Sequence, residues 1–253
     1  MTTAISGLPV EALLCDADGC LFPSEEPAFD ASATVTNRFL AELGSARRFG
    51  AEELRLATTG KNFRTTAAAL AAEEGRALDP EALERWVEVE RREVTAHLSR
   101  VLRPDHRVLE PLERLAAAHT LAVVSSSAIT RVDACLRATG LDDLFPAPRR
   151  FSAESSLPAP ASKPDPAVYL HARERLEVRP QRALAVEDSI PGALAAVAAG
   201  CPTIGNLTFV PPAERADRAA GLECVGVVDI ISSWDELEVL IESFEALPVG
   251  AAG

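Results

Sequence analysis

The sequence predicts an α/β fold in which a parallel sheet carries helices on both faces and a separate all-helical domain is inserted into the chain. Two observations predict it. Short apolar runs alternate with segments of helical spacing over most of the chain, and one long stretch near the N-terminus has helical spacing alone. Such alternation is typical of parallel sheets, because each parallel connection is a crossover that covers a face of the sheet.

Five short apolar runs are predicted to be buried strands. They are rich in Val, Leu and Ala, and buried parallel strands are apolar along their whole length rather than at alternate positions. The runs span 11–15, 120–125, 182–187, 201–205 and 224–228. Helical patterns span 106–119, 128–140, 166–176, 191–200 and 232–244. The Pro- and Ser-rich stretch 147–166 is predicted to lack regular structure.

Residues 23–103 interrupt this alternation. Three segments of helical spacing follow one another there, and no strand-like run separates them. We therefore predict a core domain made of residues 1–22 and 104–253, with residues 23–103 as a helical insertion. At 253 residues, the chain is long enough for one large domain or two modest ones.

The composition excludes several classes of partner. The net charge of −13 argues against nucleic acid and anionic lipid, which both bind basic surfaces. No apolar run approaches the roughly 18 residues of a membrane span, and the N-terminus does not resemble a secretion signal, so we expect a cytoplasmic protein. We expect it to be a monomer or a small homo-oligomer. The five cysteines form no CxxC pair, so we interpret them as small reduced core residues.

Polar side chains follow three of the predicted strands. Asp16 and Asp18 follow the first, the serines 125–127 end the second, and Glu187 and Asp188 end the third. Ligands of an open parallel sheet bind at the carboxyl ends of its strands, so these groups are expected to converge. Several carboxylates in one pocket need a hard cation, and Mg²⁺ with oxygen ligands fits that need.

The same positions carry four motifs of a known family. They are Asp16-Ala17-Asp18-Gly19, Ser125 after an apolar strand, Lys163 in "SKPDPAVYL", and Glu187-Asp188 in "VEDSIPGALAAVAAG". In this order they make the sequence resemble the haloacid dehalogenase (HAD) superfamily. The resemblance is to its group with a helical cap inserted after the first strand (C1, subfamily I), which includes phosphoglycolate phosphatase and β-phosphoglucomutase. The resemblance covers nearly the whole chain and implies a Rossmann-like core.

The resemblance also implies a role for each motif residue. Asp16 is expected to be the nucleophile that becomes an aspartyl phosphate, and Asp18 the general acid and base. Lys163 is expected to offset the negative charge of the attack.

The resemblance implies two further groups of residues. The expected Mg²⁺ ligands are Asp16, the backbone carbonyl of Asp18, Asp188 and, directly or through water, Glu187. Ser125 and the backbone amides of Ala17 and Ser126 are expected to hold the phosphoryl oxygens.

Residues 58–66, "TTGKNFRTT", resemble the cap segment that enters the site in this family. Lys61, Asn62 and Arg64 are therefore candidates for contacting the leaving group. The same residues also fit a plain helix start with two solvated cations. A helical cap favours small metabolites, such as sugar phosphates or phosphoglycolate, over phosphoproteins.

We therefore predict a Mg²⁺-dependent phosphatase that hydrolyses a small phosphorylated metabolite through an aspartyl-phosphate intermediate. One alternative is a sugar phosphomutase like β-phosphoglucomutase, which uses the same two aspartates. Another is a catalytically silent protein that binds a phosphorylated metabolite. Dehalogenation is disfavoured, because the dehalogenase members of the family need only the first aspartate and no metal, whereas this sequence also has Asp18 and an acidic pair. Phosphonate cleavage is disfavoured because those members lack an aspartate at the position of Asp18.

Overall fold

The computed structural model describes residues 9–58 and 62–246, which fold into two compact units. Residues 9–23 and 103–246 form the first, here called the sheet unit. Residues 24–58 and 62–102 form the second, here called the helical unit. In these described ranges, no helix is both long and apolar enough to cross a membrane.

The described part of the sheet unit contains one sheet of six parallel strands. The strands are β1 (Ala12–Cys15), β2 (Thr120–Ser125), β3 (Arg150–Ser152), β4 (Ala183–Glu187), β5 (Thr203–Asn206) and β6 (Asp229–Ile231). Their order across the sheet is β3-β2-β1-β4-β5-β6, so the direction of winding reverses at β1. Ligand sites of doubly wound sheets lie at such a reversal.

Ten helices lie in the described residues. They are α1 (Glu25–Glu42), α2 (Ala51–Ala57), α3 (Phe63–Glu73), α4 (Pro80–Val101), α5 (His106–Ala116), α6 (Ile129–Thr139), α7 (Ala167–Leu176), α8 (Ile190–Ala198), α9 (Arg215–Cys224) and α10 (Trp234–Ala246). Helices α1 to α4 belong to the helical unit, and the other six belong to the sheet unit. The predicted fold class, a Rossmann-like parallel sheet with an inserted helical domain, is confirmed.

The central strands β1 and β4 are buried on both faces, and all their residues are apolar except Glu187, the last residue of β4. Every residue of β1 is fully buried, and so is every residue of β4. Cys15 of β1 pairs with Val123 of β2 on one side and with Val186 of β4 on the other. The residues that follow Cys15 and Val186 therefore leave the sheet side by side at its carboxyl edge.

The helical unit has a core of its own. Phe39 of α1 and Trp86 of α4 meet edge to face with ring centroids 5.7 Å apart, among buried residues that include Leu40, Leu54 and Leu70. Helix α4 begins sharply because the Asp79 side chain accepts a hydrogen bond from the amide of Ala82.

Two strand predictions near the C-terminus need correction. The strand predicted at 224–228 is wrong: α9 runs to Cys224, and β6 begins only at Asp229. Val225 and Val227 of that run pack beside Leu222 after the helix ends, and Gly226 turns the chain with a φ of 93°. The strand predicted at 201–205 begins two residues later and ends one residue later, at Thr203–Asn206.

Two other expectations are also corrected. Residues 150–152, within the stretch predicted to be irregular, form the edge strand β3. Three residues that include a charged arginine are too short a run for a periodic signal. Four cysteines are buried as predicted, but Cys224 is exposed at the end of α9.

Candidate active site

Three buried carboxylates meet at the carboxyl edge of β1 and β4. Asp16 directly follows β1, Glu187 ends β4, and Asp188 is the next residue. Their exposed fractions are 7%, 0% and 3%. Each offers a carboxylate oxygen, and these three oxygens lie within 4.8 Å of one another. Three carboxylates buried away from water need positive charge nearby to offset the cost of their burial.

Lys163 supplies part of that positive charge. Its ammonium group forms ion pairs with Asp16 and, at 2.5 Å, with Glu187 Oε1, and it donates to the carbonyl of Val124 at 2.8 Å. These three acceptors match the three N–H groups of a lysine. Burial alone lowers the pKa of Lys163, but the two carboxylates outweigh it and raise that pKa above its ordinary value. Lys163 is therefore charged.

The pKa of Asp16 is raised overall, although its neighbours act on it in opposite directions. Burial raises its pKa most, the Lys163 charge lowers it, and the neighbouring Glu187 and Asp18 carboxylates raise it again, to about 8 in total. A divalent cation among these carboxylates would favour the charged form of Asp16. The site is thus built for a carboxylate that needs more positive charge than one lysine provides.

Glu187 is held from two sides. Its Oε1 accepts from the Tyr169 hydroxyl of α7 as well as from Lys163. Its other oxygen, Oε2, is buried and has no hydrogen-bond partner within the described residues. A Cβ on Gly192 of α8 would stand 1.8 Å from that oxygen, so a glycine is required there. Sequence reasoning identified Glu187 but neither Tyr169 nor Gly192 as its neighbours.

Asp18 lies beside the acidic cluster and is bound differently. Its Oδ2 accepts from the Ser127 hydroxyl at 2.7 Å, and its Oδ1 accepts from Arg131 Nη2 of α6 at 3.0 Å. About a quarter of each side chain of the Asp18–Arg131 ion pair is exposed. Sequence reasoning missed Arg131, although its place in the first turn of the helix that follows the serines offered a signal.

Asp188 has a basic neighbour of its own. Arg218 of α9 donates to the Asp188 carbonyl at 2.7 Å, and its guanidinium lies 3.6 Å from Asp188 Oδ2. Gly19 lies against the same carboxylate with a φ of 80°, and a Cβ there would come within 2.6 Å of Oδ2. Gly19, which follows the two aspartates, therefore leaves room for the Asp188 carboxylate. Nothing in the sequence around 218 pointed to this contact.

The residues predicted to bind phosphate lie at the same edge of the sheet. Ser125 ends β2 and is buried, and its hydroxyl accepts from the amide of Ser127 at 3.0 Å. The Ser126 hydroxyl accepts from the Lys163 amide at 3.1 Å, which ties the serine loop to the lysine loop. Ala17 is fully buried between Asp16 and Asp18. Their role toward phosphate stays a prediction.

The three cap candidates have different outcomes. Lys61 lies outside the described residues. Asn62 is the N-cap of α3, where its side chain accepts from the Thr65 amide at 2.9 Å. Arg64 forms a two-point ion pair with Glu84 of α4, inside the helical unit. Their contact with a leaving group stays a prediction.

Comparison with known proteins agrees with this geometry. The sequence model of the haloacid dehalogenase-like hydrolase family matches residues 10–200. A phosphoglycolate phosphatase from Nitrosospira multiformis is 34% identical over 199 residues, which are 76% of this chain and 81% of the relative.

Two solved structures extend the similarity to nearly the whole chain. A haloacid dehalogenase-like protein of unknown function from Agrobacterium tumefaciens is 28% identical, with a TM-score of 0.69 over 92% of this chain and 98% of the other. A HAD-family hydrolase from Deinococcus radiodurans, with bound phosphate and sodium, is 26% identical, with a TM-score of 0.66 over 94% of this chain and 98% of the other.

The chain belongs to the haloacid dehalogenase-like hydrolases. Within that family it is a homologue of a phosphoglycolate phosphatase and an enzyme of the phosphatase type. The predictions of the family and of the enzyme class are confirmed, and a buried acidic cluster suited to a divalent metal is present.

Proposed function

We propose that the protein is a Mg²⁺-dependent phosphatase that hydrolyses a small phosphorylated metabolite through an aspartyl phosphate on Asp16. The observation that carries the proposal is the Asp16 carboxylate itself. It is buried at the sheet edge, paired with Lys163 and clustered with Glu187 and Asp188. A second carboxylate, that of Asp18, follows two residues later.

The acidic cluster fits a hard divalent cation. Asp16, Asp188 and Glu187 offer only oxygen donors, and one Glu187 oxygen has no hydrogen-bond partner within the described residues. Oxygen donors of this kind favour Mg²⁺, and the family resemblance adds the backbone carbonyl of Asp18 to the ligand set. When bound, the cation would polarise the phosphoryl group and offset charge in the transition state.

The residues of the chain then divide the reaction between them. A carboxylate oxygen of Asp16 forms a bond to phosphorus while the bond to the ester oxygen breaks, and Asp18 gives that oxygen its proton. Asp18 next accepts a proton from the water that attacks the aspartyl phosphate, which releases inorganic phosphate and restores Asp16. Lys163 stays charged throughout and counters the negative charge at Asp16. Ser125 and the amides of Ala17 and Ser126 hold the phosphoryl oxygens.

The proposed substrate is a small phosphate ester, with phosphoglycolate first. The phosphoglycolate phosphatase from Nitrosospira multiformis supports this choice at 34% identity. The net charge of −13 disfavours polyanionic nucleic acid, whereas one small phosphate needs only a local cluster of cations. Lys61, Asn62 and Arg64 remain candidates for contacting the leaving group, and Arg64 would have to leave Glu84 to bind a substrate anion.

The test is phosphate release from a panel of phosphoglycolate, sugar phosphates and nucleotides, with and without Mg²⁺. We expect a few small esters to be hydrolysed only with the metal. Asp16→Asn should abolish turnover, and Asp143→Asn, at an exposed loop position, should leave it unchanged. Labelled phosphate trapped on the protein should be released by hydroxylamine, as for an acyl phosphate.

The other outcomes decide between the alternatives. Turnover that survives in Asp16→Asn would contradict the mechanism. Silence across the panel would be followed by sugar monophosphates with a bisphosphate primer, where activity would identify a phosphomutase. Tight binding of a phosphorylated metabolite without turnover in either assay would identify a binding protein.

A further inference from the structure

We propose that Arg131, together with Ser127, positions the Asp18 carboxylate for proton transfer, so that Arg131 is a positioning residue of the reaction. The inference rests on the proposed function. Each oxygen of Asp18 has its own donor: Ser127 Oγ lies 2.7 Å from Oδ2, and Arg131 Nη2 lies 3.0 Å from Oδ1. Two donors on two different oxygens fix both the rotamer and the plane of a carboxylate.

The two donors come from one well-anchored segment. Ser127 donates its amide to the Ser125 hydroxyl at 3.0 Å, and its carbonyl accepts from the Ser152 hydroxyl at 2.8 Å. Arg131 is the third residue of α6, whose first amide, that of Ile129, donates to a serine hydroxyl at 3.3 Å. Both donors are thus tied to the end of β2 and the loop after β3, next to the predicted phosphate-binding serines.

The reaction needs these two hydrogen bonds because Asp18 lies in a loop. It is the second residue after Asp16, and about a quarter of its side chain is exposed, so water competes for it. Proton transfer requires the acid within about 2.6–3.2 Å of the reacting oxygen, and a displacement of about 1 Å costs on the order of 100-fold in rate.

A purely structural ion pair would behave differently. An ion pair with this degree of exposure contributes little to the free energy of unfolding. If the Asp18–Arg131 pair were only structural, its loss would leave the protein folded and its turnover unchanged. The charge of Arg131 is also directed at the proposed acid and base rather than at the Asp16 cluster, which Lys163 occupies. The two interpretations therefore predict different results for kcat/KM: a fall if Arg131 positions Asp18, and no change if the pair is only structural.

The experiment compares two substrates in four variants. One substrate is the best alkyl phosphate of the panel, whose leaving oxygen needs a proton. The other is p-nitrophenyl phosphate, whose leaving group departs without one. The variants are Arg131→Ala, Arg131→Lys, Asp18→Asn and the control Arg137→Ala, an exposed arginine on the same helix.

We expect Arg131→Ala to lower kcat/KM for the alkyl phosphate about 10- to 100-fold, and for p-nitrophenyl phosphate less than about 3-fold. Asp18→Asn should show the same selectivity in stronger form in the first release of the leaving group, measured in a single turnover, because loss of the Asp18 base slows hydrolysis of the aspartyl phosphate equally for both substrates. Arg131→Lys should restore part of the activity, because an ammonium can still donate to Oδ1, and it replaces Arg131→Ala should the alanine variant fail to fold. Arg137→Ala should stay within about 2-fold of the wild type.

Equal losses on both substrates, or no loss on either, would overturn the inference. Wild-type protein that hydrolyses neither substrate with Mg²⁺ would overturn the proposed function, and this inference with it. Wild-type turnover combined with a non-selective Arg131→Ala effect would overturn this inference alone. The two failures are therefore distinguishable in one set of assays.

Discussion

Lys163 shows why a lysine, rather than an arginine, suits the centre of the site. Its ammonium group forms ion pairs with two carboxylates, one just after β1 and one at the end of β4, and donates a hydrogen bond to a carbonyl of β2. A compact ammonium with three N–H groups suits three convergent acceptors, whereas the planar guanidinium of an arginine suits a flat, two-point partner. Arg131 and Arg218, which contact Asp18 and Asp188 from helices, occupy the more open positions.

Tyr169→Phe tests how strongly Glu187 is held. The change keeps the ring and removes only the hydroxyl that donates to the buried carboxylate. A hydrogen bond to a charged acceptor contributes about 1.5–3 kcal/mol, so we expect the free energy of unfolding to fall by that amount. We also expect kcat to fall, because Glu187 shares its Oε1 with Lys163. Urea denaturation and steady-state kinetics measure the two effects.

A second buried hydroxyl provides the control, since Tyr169 is the only tyrosine of the sequence. Thr139→Val removes a hydroxyl that donates to the neutral carbonyl of Cys135 at 2.8 Å, away from the carboxylates. It should cost about 1 kcal/mol and leave kcat unchanged. A Tyr169→Phe protein as stable and as active as the wild type would show that Glu187 does not depend on this hydroxyl.

Sequence reasoning located the residues of the site that lie in short motifs. Asp16, Glu187 and Asp188 stand at strand ends, and parallel strands bring such ends to one edge, so the structure places these residues together. Arg131 and Arg218 could not be found in this way. Arg131 is 113 positions from Asp18, and which turn of a helix faces the sheet edge depends on how that helix packs.

At the scale of elements, the packing of α8 against β4 depends on a glycine. Gly192 is a poor helix former, and replacing a glycine inside a helix by alanine usually gains about 0.5–1 kcal/mol. Here the added Cβ would lie 1.8 Å from Glu187 Oε2 and 2.3 Å from its Cδ. Lys163 and Tyr169 hold the same carboxylate from the other side, so it cannot simply move away.

We therefore expect Gly192→Ala to be destabilising by about 1–3 kcal/mol, because overpacking outweighs the gain in helix propensity. Turnover should fall as well, since the displaced carboxylate is a partner of Lys163. The control is Gly50→Ala, where a Cβ would meet nothing within 4 Å and only the ordinary helix-cap preference of under about 1 kcal/mol is at stake. Equal unfolding midpoints for Gly192→Ala and wild type would contradict the expectation.

Strands that contain a run of four apolar residues were predicted from the sequence, and the two short edge strands were not. The strands β1, β2 and β4 are four to six residues long and each contains four consecutive apolar residues, so their runs are visible in the sequence. The edge strands β3 and β6 have three residues each, and each begins with a charged residue. Their place is set by pairing with β2 and β5, which no local pattern encodes.

At the scale of the whole molecule, the acidic cluster lies entirely within the sheet unit. Asp16, Glu187 and Asp188 all belong to residues 9–23 and 103–246, and so do Lys163 and Arg218. The helical unit, residues 24–58 and 62–102, has its own core around Phe39 and Trp86. A ligand that binds only the folded cluster therefore stabilises the sheet unit.

Mg²⁺ should accordingly raise the unfolding temperature of the sheet unit. A ligand at about 100 times its Kd stabilises the folded state by about 2.7 kcal/mol, and for a domain of this size each kcal/mol corresponds to about 2–4 °C. We expect a shift of about 5–10 °C in calorimetry, confined to the sheet-unit transition if the two units unfold separately. The shift needs no turnover, so it tests the metal site independently of the reaction.

Asp188→Asn is the decisive variant in this measurement. It removes one of the three clustered carboxylates without changing the size of the side chain, so the Mg²⁺-induced shift should be mostly lost. Asp143→Asn, at an exposed position of the same unit, should keep the full shift. An equal shift in wild type and Asp188→Asn would mean that Mg²⁺ binds elsewhere on a chain of net charge −13, and the acidic cluster would lose its role as the metal site.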